Sequence, residues 1–365
     1  MRKVCHVTSL HPVLDGRIFQ KECRSLSKEY EVYLIAPNTE DRVINGVFIR
    51  GVVLPKNRLK RSMCLNRVFR KMVEIDADIY HFHDPELIPI GCKAKKNGKV
   101  VIFDSHEDVP ADILQKKWIP FIFRKPLSLY YKWYESVKLK KFDALITVTP
   151  SIVERLSKIN PKTVMVTNYP LYEDLSTDRQ FGRFICFAGG IMPSWMHDNI
   201  LESIKDIDCK YLLAGKVSQS YFSSLSEHKA WPKVEFLGVI KHEEVVGLYH
   251  RSIAGMALYD YNGYLGEKEG TLGNTKIFEY MQAGIPIIAT DFRLWKEIID
   301  KYKCGICVNP RNVAEITKAI EYLLSHPLEA KEMGDNGLVA FRKEFNWRSQ
   351  ETILLQLYQC LINND

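Results

Sequence analysis

Short runs of apolar and β-branched residues alternate along the chain with longer segments whose apolar positions recur at the helical period. In the first half, strands are predicted at Val4–Thr8, Glu31–Ala36, Val47–Leu54, Asp78–His83, Val100–Asp104, Ala144–Val148 and Thr163–Val166. Helices are predicted between most of them, at about 17–28, 62–75, 86–97, 126–142 and 151–158. Such alternation is typical of α/β domains with parallel sheets.

The alternation restarts after an irregular stretch, Asn168–Gly182. Strands are then predicted at Phe184–Phe187, Tyr211–Ala214, Val234–Leu237, Ala254–Leu258, Pro286–Ala289 and Gly305–Val308. Helices are predicted at about 198–206, 219–229, 243–250, 275–283, 293–301 and 312–325, with a terminal helix at about 347–362. Because an irregular, polar stretch is a natural domain boundary, the pattern predicts two Rossmann-like, doubly wound parallel-sheet domains in series.

Composition and hydropathy agree with a folded protein, since 46% of the 365 residues are hydrophobic and 26% are charged. No run approaches the roughly 20 apolar residues that cross a bilayer, and no signal region precedes the first strand. We therefore expect a cytoplasmic protein. Peripheral binding to the inner face of the cell membrane is a further hypothesis.

The net charge of +7 is concentrated in the first half of the chain. Between Pro55 and Lys141 there are nineteen Lys and Arg residues against ten Asp and Glu residues. Such an excess attracts nucleic acid, anionic lipid or phosphorylated substrates. Segment 116–125 interleaves cations with aromatic residues, which suits either contact with an anionic membrane or a solvated face over a core stripe. No recognised nucleic-acid-binding module is present, so we expect no nucleic-acid partner.

Histidines follow two neighbouring predicted strands. His81 and His83 point to the same face of one strand, and His106 ends the next. This set suits metal ligation, a polar cluster beside an acceptor, or packed and hydrogen-bonded histidines. Metal is the least favoured of the three, because no carboxylate-rich set in the sequence completes the cage. We therefore expect no metal site.

The densest pattern is Gly270–Asp291, where a polar, glycine-containing loop enters a helix. The amides at the start of such a helix can bind a diphosphate. Glu279 lies one turn into the helix, where its carboxylate can accept hydrogen bonds from two ribose hydroxyls. The turn after the first strand, Ser9–Phe19, is a second candidate for anion binding, although it has no GxGxxG and reads equally well as an ordinary loop.

Together these motifs resemble the retaining glycosyltransferases of the GT-B fold, the large bacterial family of envelope and capsular polysaccharide enzymes called glycosyl transferases group 1. The segments that carry the resemblance are Asp15–Glu22, Tyr80–Leu87, Asp104–Asp108, Val148–Ile152, Phe187–Ile191, Leu212–Gly215, Phe236–Ile240, Lys276–Pro286 and Phe345–Trp347. The resemblance implies two domains that face a central cleft. It implies an acceptor-side domain at 1–168, completed by a C-terminal helix at about 347–365, and a donor-binding domain at 169–346.

The resemblance also implies roles for individual residues. It implies that His106 and Glu279 act at the catalytic centre, with His106 contacting the transferred sugar and Glu279 the ribose. It implies a donor-binding set made of Gly16, Arg17, Gly189, Gly190, Lys216, Val239, Ile240, Leu272, Gly273, Asn274, Lys276 and Glu279. In this set the glycines lie near the diphosphate, and Val239 and Ile240 offer backbone groups to the base.

The chain departs from the family pattern at two places. The first Glu of the family's paired motif is replaced by Thr271, which we predict to be the catalytic residue at that position. The Arg and Lys that clamp the diphosphate have no match after Gly190, and Lys216, Lys268 or Lys276 are the candidates to supply the charge.

The resulting expectation is retaining transfer of a sugar from a UDP- or GDP-sugar to a carbohydrate or lipid-linked glycan, in cell-surface polysaccharide biosynthesis. The nucleotide-sugar is a co-substrate, and no cofactor or essential metal is expected. Two alternatives stay open: a nucleotide-sugar-binding protein of the same fold without transfer activity, and an enzyme similar to nucleotide-sugar 2-epimerases.

Overall fold

A computed structural model of the chain describes residues 1–116, 118–175, 179–262 and 266–363, apart from the side chains of Arg58 and Leu59. Lys117, which belongs to the cationic and aromatic segment noted above, lies outside the described residues. The chain divides into two compact units. Unit 1 consists of Met1–Asn168 and Trp347–Asp365, and unit 2 of Tyr169–Asn346.

Unit 1 is built on an eight-stranded sheet whose strands are parallel except for β3. The strands are β1 (Lys3–Val7), β2 (Glu31–Pro37), β3 (Arg42–Ile44), β4 (Val47–Val52), β5 (Ile79–Phe82), β6 (Val100–Ser105), β7 (Ala144–Thr147) and β8 (Thr163–Met165). The helices are a π-helical segment (Ile18–Cys23), α1 (Arg24–Leu26), α2 (Arg58–Met63), α3 (Leu65–Ile75), α4 (Ile88–Lys96), α5 (Val109–Gln115), α6 (Phe121–Leu139) and α7 (Pro150–Ser157).

Unit 2 is built on a six-stranded parallel sheet. Its strands are β9 (Phe184–Ala188), β10 (Lys210–Ala214), β11 (Val234–Gly238), β12 (Ala254–Ala257), β13 (Ile287–Thr290) and β14 (Gly305–Val308). Its helices are α8 (His197–Ile204), α9 (Gln219–Ser226), α10 (His242–His250), α11 (Lys276–Ala283), α12 (Arg293–Tyr302), α13 (Val313–Ser325) and α14 (Pro327–Lys343).

The last helix, α15 (Trp347–Ile362), packs on unit 1. The Trp347 indole donates a hydrogen bond of 2.9 Å to the Ser25 hydroxyl. The backbone amide of Thr167 donates to the Gln350 side chain at 2.8 Å. These contacts are far apart in sequence, so α15 completes the core of the unit that the first 168 residues begin.

The strand orders are β3-β4-β2-β1-β5-β6-β7-β8 in unit 1 and β11-β10-β9-β12-β13-β14 in unit 2. The direction of strand addition reverses between β1 and β5 and again between β9 and β12. In open parallel sheets, ligands bind outside the carboxyl ends of the strands at this switch point. The predicted fold class, two doubly wound parallel-sheet α/β domains, is confirmed, and the loops after β1, β5, β9 and β12 are the places to look for a site.

Every strand predicted from the sequence is present, but the sequence pattern missed β3, α2, α5 and α14. Helix α6 also begins at Phe121, five residues before the predicted start, because Pro126 lies inside the helix rather than at its first position. A proline there removes one backbone hydrogen bond without ending the helix.

Helix α14 was missed because it contains Gly334 and Gly337, which disfavour helices. A Cβ at Gly334 would lie 2.1 Å from the carbonyl oxygen of Gly284, the residue that ends α11. At Gly337 the nearest atoms would be 3.4 Å away, an ordinary contact distance. Glycine at 334 is therefore required by the close approach of α14 to the end of α11, a requirement that only the packed structure shows.

We predict that Gly334→Ala lowers the stability of unit 2, although alanine favours helices over glycine by about 1 kcal/mol. Forcing a methyl group against a backbone carbonyl costs about 1–3 kcal/mol or more, which outweighs that gain. Gly337→Ala, three residues along the same helix, is the matched control and should leave stability unchanged or raise it by up to about 1 kcal/mol. Scanning calorimetry measures both; equal effects of the two substitutions would contradict the packing argument.

Candidate functional site

The loops after β1 and β5 are tied together at the switch point of unit 1. The buried carboxylate of Asp84 accepts hydrogen bonds from the Thr8 hydroxyl at 2.8 Å and from the Ser9 amide at 2.6 Å. The Ser9 hydroxyl also donates to Glu86 at 2.6 Å, and Glu86 forms an ion pair with Arg61. The position of the loop after β1 is thus set by carboxylates that follow β5.

Arg17 lies in the core of unit 1, not at its surface. Its guanidinium donates two hydrogen bonds to Asp104, at 2.9 and 3.1 Å, and a third to the carbonyl of Val166 at 2.8 Å. The Arg17 Nε atom is also 3.0 Å from the carboxylate of Glu22. Because the guanidinium is buried and paired in this way, Arg17 is an internal ion-pair partner in this structure, which argues against a contact with the donor; that contact stays a prediction.

The two carboxylates beside Arg17 have opposite pKa shifts. Burial by itself raises the pKa of Asp104, but Arg17 and His106 outweigh it and hold that pKa well below its usual range. Burial raises the pKa of Glu22 well above its usual range, and Arg17 only partly offsets this. Asp104 is therefore the permanent anion of the pair.

Four histidines meet beside these carboxylates. The His6 Nδ1 and His83 Nε2 atoms are 2.9 Å apart, and the His83 Nδ1 atom is 3.3 Å from the His106 Nε2 atom. His106 in turn lies 3.0 Å from Asp104 and is 20% exposed, whereas His6, His81 and His83 are buried. His106 is therefore the member of the cluster that a sugar could reach, as the resemblance implies.

The sequence analysis singled out His81, His83 and His106 but missed His6 and the two acidic partners. The argument against a metal was that no carboxylate completes the set, and the structure brings both Glu22 and Asp104 to the histidines. That argument is wrong, because it considered only carboxylates close to the histidines in the sequence, whereas these two are close to them only in the folded chain. His6 lies in a predicted strand, but only the structure shows that this strand, β1, pairs with β5 and brings His6 opposite His81.

Gly16 lies in the loop after β1 and is exposed. A Cβ at this position would meet no atom within 4 Å, so the local packing does not require glycine. Its role near the donor diphosphate stays a prediction.

In unit 2, Glu279 lies in the first turn of α11, which follows the loop after β12. Its carboxylate accepts hydrogen bonds from the Thr275 hydroxyl at 2.6 Å, the Tyr249 hydroxyl at 3.0 Å and the Lys276 ammonium at 2.5 Å. Burial by itself raises the pKa of Glu279, but these three partners outweigh it and keep the pKa below its usual value. The side chain is 25% exposed. The carboxylate is thus ionised and reachable.

Thr271 stands where the resemblance implies a glutamate. Its hydroxyl accepts a hydrogen bond from the Gly273 amide at 3.0 Å, and its carbonyl accepts one from the Trp295 indole at 2.8 Å. The nearby carboxylate of Glu269 forms an ion pair with Arg293. Thr271 therefore fixes the shape of the turn, and the catalytic role of this position stays a prediction.

The other residues of this loop hold the first turn of α11 in place. The Asn274 side chain accepts a hydrogen bond from the Lys276 amide at 3.1 Å and a weaker one from the Tyr259 hydroxyl at 3.4 Å. Leu272 is buried and anchors the loop in the core of unit 2. The loop is thus held by its own side chains at the switch point.

The predicted glycine loop adjoins this helix. The Gly189 amide donates to the Ala214 carbonyl at 2.9 Å, which keeps the loop after β9 beside the end of β10. A Cβ at Gly189 would lie 3.1 Å from the Lys276 Cε atom, whereas one at Gly190 would meet nothing within 4 Å. Lys276 therefore lies over the Gly189–Gly190 loop and is the lysine that the structure brings to it.

The loops after β10 and β11 extend the same edge of the sheet. The Gly215 amide donates to the Gly238 carbonyl at 2.6 Å, so the two loops are adjacent. Lys216 is exposed, Val239 is 77% exposed and Ile240 is partly buried against the core. The predicted base-binding residues thus lie on the same edge as Gly189, and their contacts with a ligand stay a prediction.

Each half of the chain matches a protein-family model. Residues 17–168 match the model described as Glycosyltransferase Family 4, and residues 179–339 match the model described as Glycosyl transferases group 1. Among curated proteins, a glycogen synthase of Mycobacterium tuberculosis is 22% identical over 132 residues. That match spans 36% of this chain and only 30% of the glycogen synthase.

Solved structures resemble the chain over its whole length. A sucrose-phosphate synthase from Thermosynechococcus elongatus superimposes with a TM-score of 0.76 at 14% identity, covering 100% of both chains. Anabaena HepE, solved in complex with UDP and glucose, superimposes with a TM-score of 0.71 at 10% identity, covering 99% of this chain and 100% of HepE. At these identities the likeness shows the fold alone.

We predict that Arg17→Ala lowers the free energy of unfolding by about 3–5 kcal/mol, because it leaves the buried Asp104 carboxylate without its counter-charge. Arg24→Ala is the matched control: Arg24 is exposed and, within the described residues, its side chain bonds to Gln20, so the change should be within about 0.5 kcal/mol. Denaturant titration measures both. Unchanged stability of Arg17→Ala together with weaker nucleotide-sugar binding would restore the donor role that the structure argues against.

Proposed function

Since the chain belongs to the glycosyl transferases group 1 of the GT-B fold, we propose that it transfers a sugar from a nucleotide-sugar to a carbohydrate acceptor with retention at the anomeric carbon. The observation that carries the proposal is the ionised, reachable carboxylate of Glu279 at the switch point of unit 2. A carboxylate in this place suits two adjacent hydroxyls of a ribose. HepE, which shares the fold, is solved with UDP, and this supports a UDP-sugar as the first donor to try.

We propose that Lys276 supplies the cation that the family's diphosphate clamp would otherwise provide. Its side chain lies over the Gly189–Gly190 loop, where the absence of side chains lets a diphosphate approach the backbone. Lys268 instead lies over the ring of Tyr261, at 5.8 Å from the ring centre. As the diphosphate departs, Lys276 and the amides at the start of α11 stabilise the growing negative charge, which is usually the largest catalytic contribution.

We propose that the transfer step needs no metal ion at the donor site. Within the described residues, the groups of His, Cys, Asp and Glu that could hold an ion are both in unit 1. Lys276 and the helix amides carry out the charge stabilisation that a cation would perform in a metal-dependent transferase.

A second candidate function, donor binding without transfer, is favoured by one observation. Thr271 replaces the first glutamate of the paired motif, and the carboxylate of Glu269 is engaged by Arg293. Incubation with a nucleotide-sugar and a glycan acceptor, followed by mass spectrometry, separates the two functions: transfer gives one UDP or GDP and one extended glycan for each donor consumed, and a binding protein leaves donor and acceptor unchanged.

We propose that α6 docks unit 1 on an anionic membrane that carries a lipid-linked acceptor. This helix turns its apolar side chains outward: Phe121 is 82% exposed and Trp133 is 60% exposed. Its inward face carries two polar side chains, with Ser128 bonded to a carbonyl and Glu135 paired with Arg155, and the buried Leu139 near its end. Exposed aromatic residues of this kind mark an interaction surface.

The charged residues of α6 indicate which kind of surface this helix binds. Its single acidic residue, Glu135, is buried, whereas Arg124, Lys125 and Lys132 lie among the exposed aromatic residues. Cations interleaved with aromatic residues suit the interface of an anionic bilayer. None of the helices in the described ranges has the length and hydropathy needed to span a membrane.

A groove of about 500 Å³ borders the exposed face of α6 and is lined by residues of α6 and α7. Trp133 and Leu129 give it apolar walls and Lys132 gives it positive charge, while the charge of Lys158 is paired with Glu154. This combination suits a phosphate-bearing lipid headgroup, in agreement with a lipid-linked glycan as acceptor.

We predict that Glu279→Ala weakens donor binding by about ten- to a thousandfold, because each charge-assisted hydrogen bond contributes about 1.5–3 kcal/mol. The alternative is that Glu279 only forms an ion pair with Lys276 on the helix surface, a contact that stabilises the helix by a few tenths of a kcal/mol. Titration calorimetry with UDP- and GDP-sugars, chosen by a thermal-shift screen, measures the dissociation constant.

The matched control for Glu279 is Glu202→Ala. Glu202 pairs with Lys205 at the same spacing in α8 of the same unit, but it is exposed and lies away from the switch point. Its substitution should leave donor binding unchanged. A folded Glu279→Ala protein that binds donor as tightly as the parent would overturn the donor-site assignment.

We predict that the full-length protein floats with anionic vesicles and not with neutral phosphatidylcholine vesicles, and that salt weakens the recovery. Replacing Phe121, Phe123 and Trp133 by Ser should reduce recovery severalfold by removing the apolar contacts. Leu328→Ser, which changes an apolar residue of unit 2 that is 83% exposed, is the control and should have no effect. Equal recovery with both lipids, or a stable dimer that does not float, would contradict the membrane assignment.

A further inference from the structure

Four buried side chains in unit 1 converge without a role in the proposed transfer. They are His6 on β1, Glu22 in the π-helical segment, and His81 and His83 at β5. Each offers one ligand atom, and these atoms all lie within 4.8 Å of one another. We propose that they form a binding site for a divalent transition-metal ion, with zinc as the best match, that fastens the core of unit 1.

The distances fit a metal ion. The His6 Nδ1 and His83 Nε2 atoms are 2.9 Å apart, and each is 3.8 Å from the Glu22 Oε2 atom. The point equidistant from these three atoms lies in their plane, about 2.1 Å from each, which is the length of zinc bonds to imidazole nitrogen and carboxylate oxygen. A tetrahedral ion lies out of that plane, so its binding requires the His6 and His83 nitrogens, now at hydrogen-bond distance, to move apart. Three nitrogens and one oxygen in a closed set match zinc among the common divalent metals.

His81 provides the fourth ligand. Its Nδ1 atom is 2.9 Å from the Tyr358 hydroxyl on α15, which fixes the orientation of the ring. Its Nε2 atom is buried and has no hydrogen-bond partner in the described structure. A histidine held by one ring nitrogen and unsatisfied at the other is the usual arrangement of a metal ligand.

The surrounding groups support the ligands in the same way. The second nitrogen of His83, Nδ1, is 3.5 Å from the Asp104 carboxylate, and Arg17 lies 3.0 Å from the Glu22 oxygen that does not face the histidines. Carboxylates behind ligating histidines fix the tautomer and raise the basicity of the ligand.

Glu22 gives the proposal its energetic basis. Both of its carboxylate oxygens are buried and lack a hydrogen bond in the described structure. A buried polar group left in this state costs several kcal/mol, and buried charges are normally paired or bound to metals. Arg17 lies 3.0 Å from one of the two oxygens only, and an ion among the three histidines would bind the other, which lies 3.8 Å from His6 and His83.

The π-helical segment is what brings Glu22 to the histidines. The Glu22 amide bonds to the Arg17 carbonyl five residues earlier, at 3.0 Å, in place of the α-helical partner four residues earlier. On an α-helix, side chains three or four residues apart are neighbours. The side chains of Arg17 and Glu22, which are five residues apart, would therefore point in different directions on an α-helix. Single π turns are frequently found at functional sites.

A second group, His83 with Asp104 and His106, could also hold an ion. It is the weaker candidate, since Arg17 occupies both oxygens of Asp104 and His106 is partly exposed. The proposed ion would have no open position, so its role is structural: it joins β1, β5 and the π-helical segment and fixes His83, which contacts His106.

The test measures metal in the full-length, tag-free protein purified from cells grown with zinc. Mass spectrometry of the metal should find about one zinc per chain. Protein grown with cobalt instead should show the visible absorption bands of tetrahedral cobalt. No metal above background in the parent protein, together with no cobalt bands, would overturn the proposal without reference to any variant.

Variants locate the ion. Glu22→Gln, which keeps the shape of the side chain, and His81→Gln should each lower the zinc content at least tenfold. His197→Gln is the matched control, since His197 is also buried, bonded to a tyrosine hydroxyl at 2.9 Å and unpartnered at Nε2, but it lies in unit 2. His106→Gln should retain the zinc. Loss of zinc in His106→Gln, or full zinc content in both Glu22→Gln and His81→Gln, would overturn the assignment to these four residues.

Discussion

The guanidinium of Arg17 holds together parts of unit 1 that are far apart along the chain. It bonds to Asp104 at the end of β6 and to the carbonyl of Val166 after β8, and it lies against Glu22 one π turn further on. A buried cation of this kind is tolerated only because each of its donors has a partner. The same pairing keeps Asp104 ionised, and Asp104 in turn holds His83 and His106.

The switch points of the two units have the same topology but different chemistry. In unit 1 the loops after β1 and β5 are closed on each other by Asp84 and Glu86, whose carboxylates bond to neighbouring hydroxyls, amides and Arg61. In unit 2 the carboxylate of Glu279 stays reachable, and Lys276 lies over a loop without side chains. The pairing in unit 1 is buried, whereas the Glu279–Lys276 pair of unit 2 is internally bonded but partly exposed, so a ligand can reach it.

Much of the fold could be predicted because parallel strands are buried on both faces and appear as short apolar runs between helices. Elements with weak local signals could not. Helix α14 contains two glycines, of which Gly334 is needed where the helix meets Gly284, and α6 turns its apolar residues outward around Pro126. In both cases the residue that weakens the local signal serves a contact that the local sequence does not contain.

The sequence by itself determined the two α/β domains, the histidine set of His81, His83 and His106, and the loop and helix that carry Glu279. Each of these features is indicated by a pattern within a contiguous stretch of residues. The tertiary structure alone decided that Arg17 is an internal ion-pair partner, that Glu22 and Asp104 join the histidines, and that Lys276 is the lysine at the Gly189 loop. The physical reason is that charge pairing depends on distance in space, and Arg17 and Asp104 are 87 residues apart in the chain yet 2.9 Å apart in the fold.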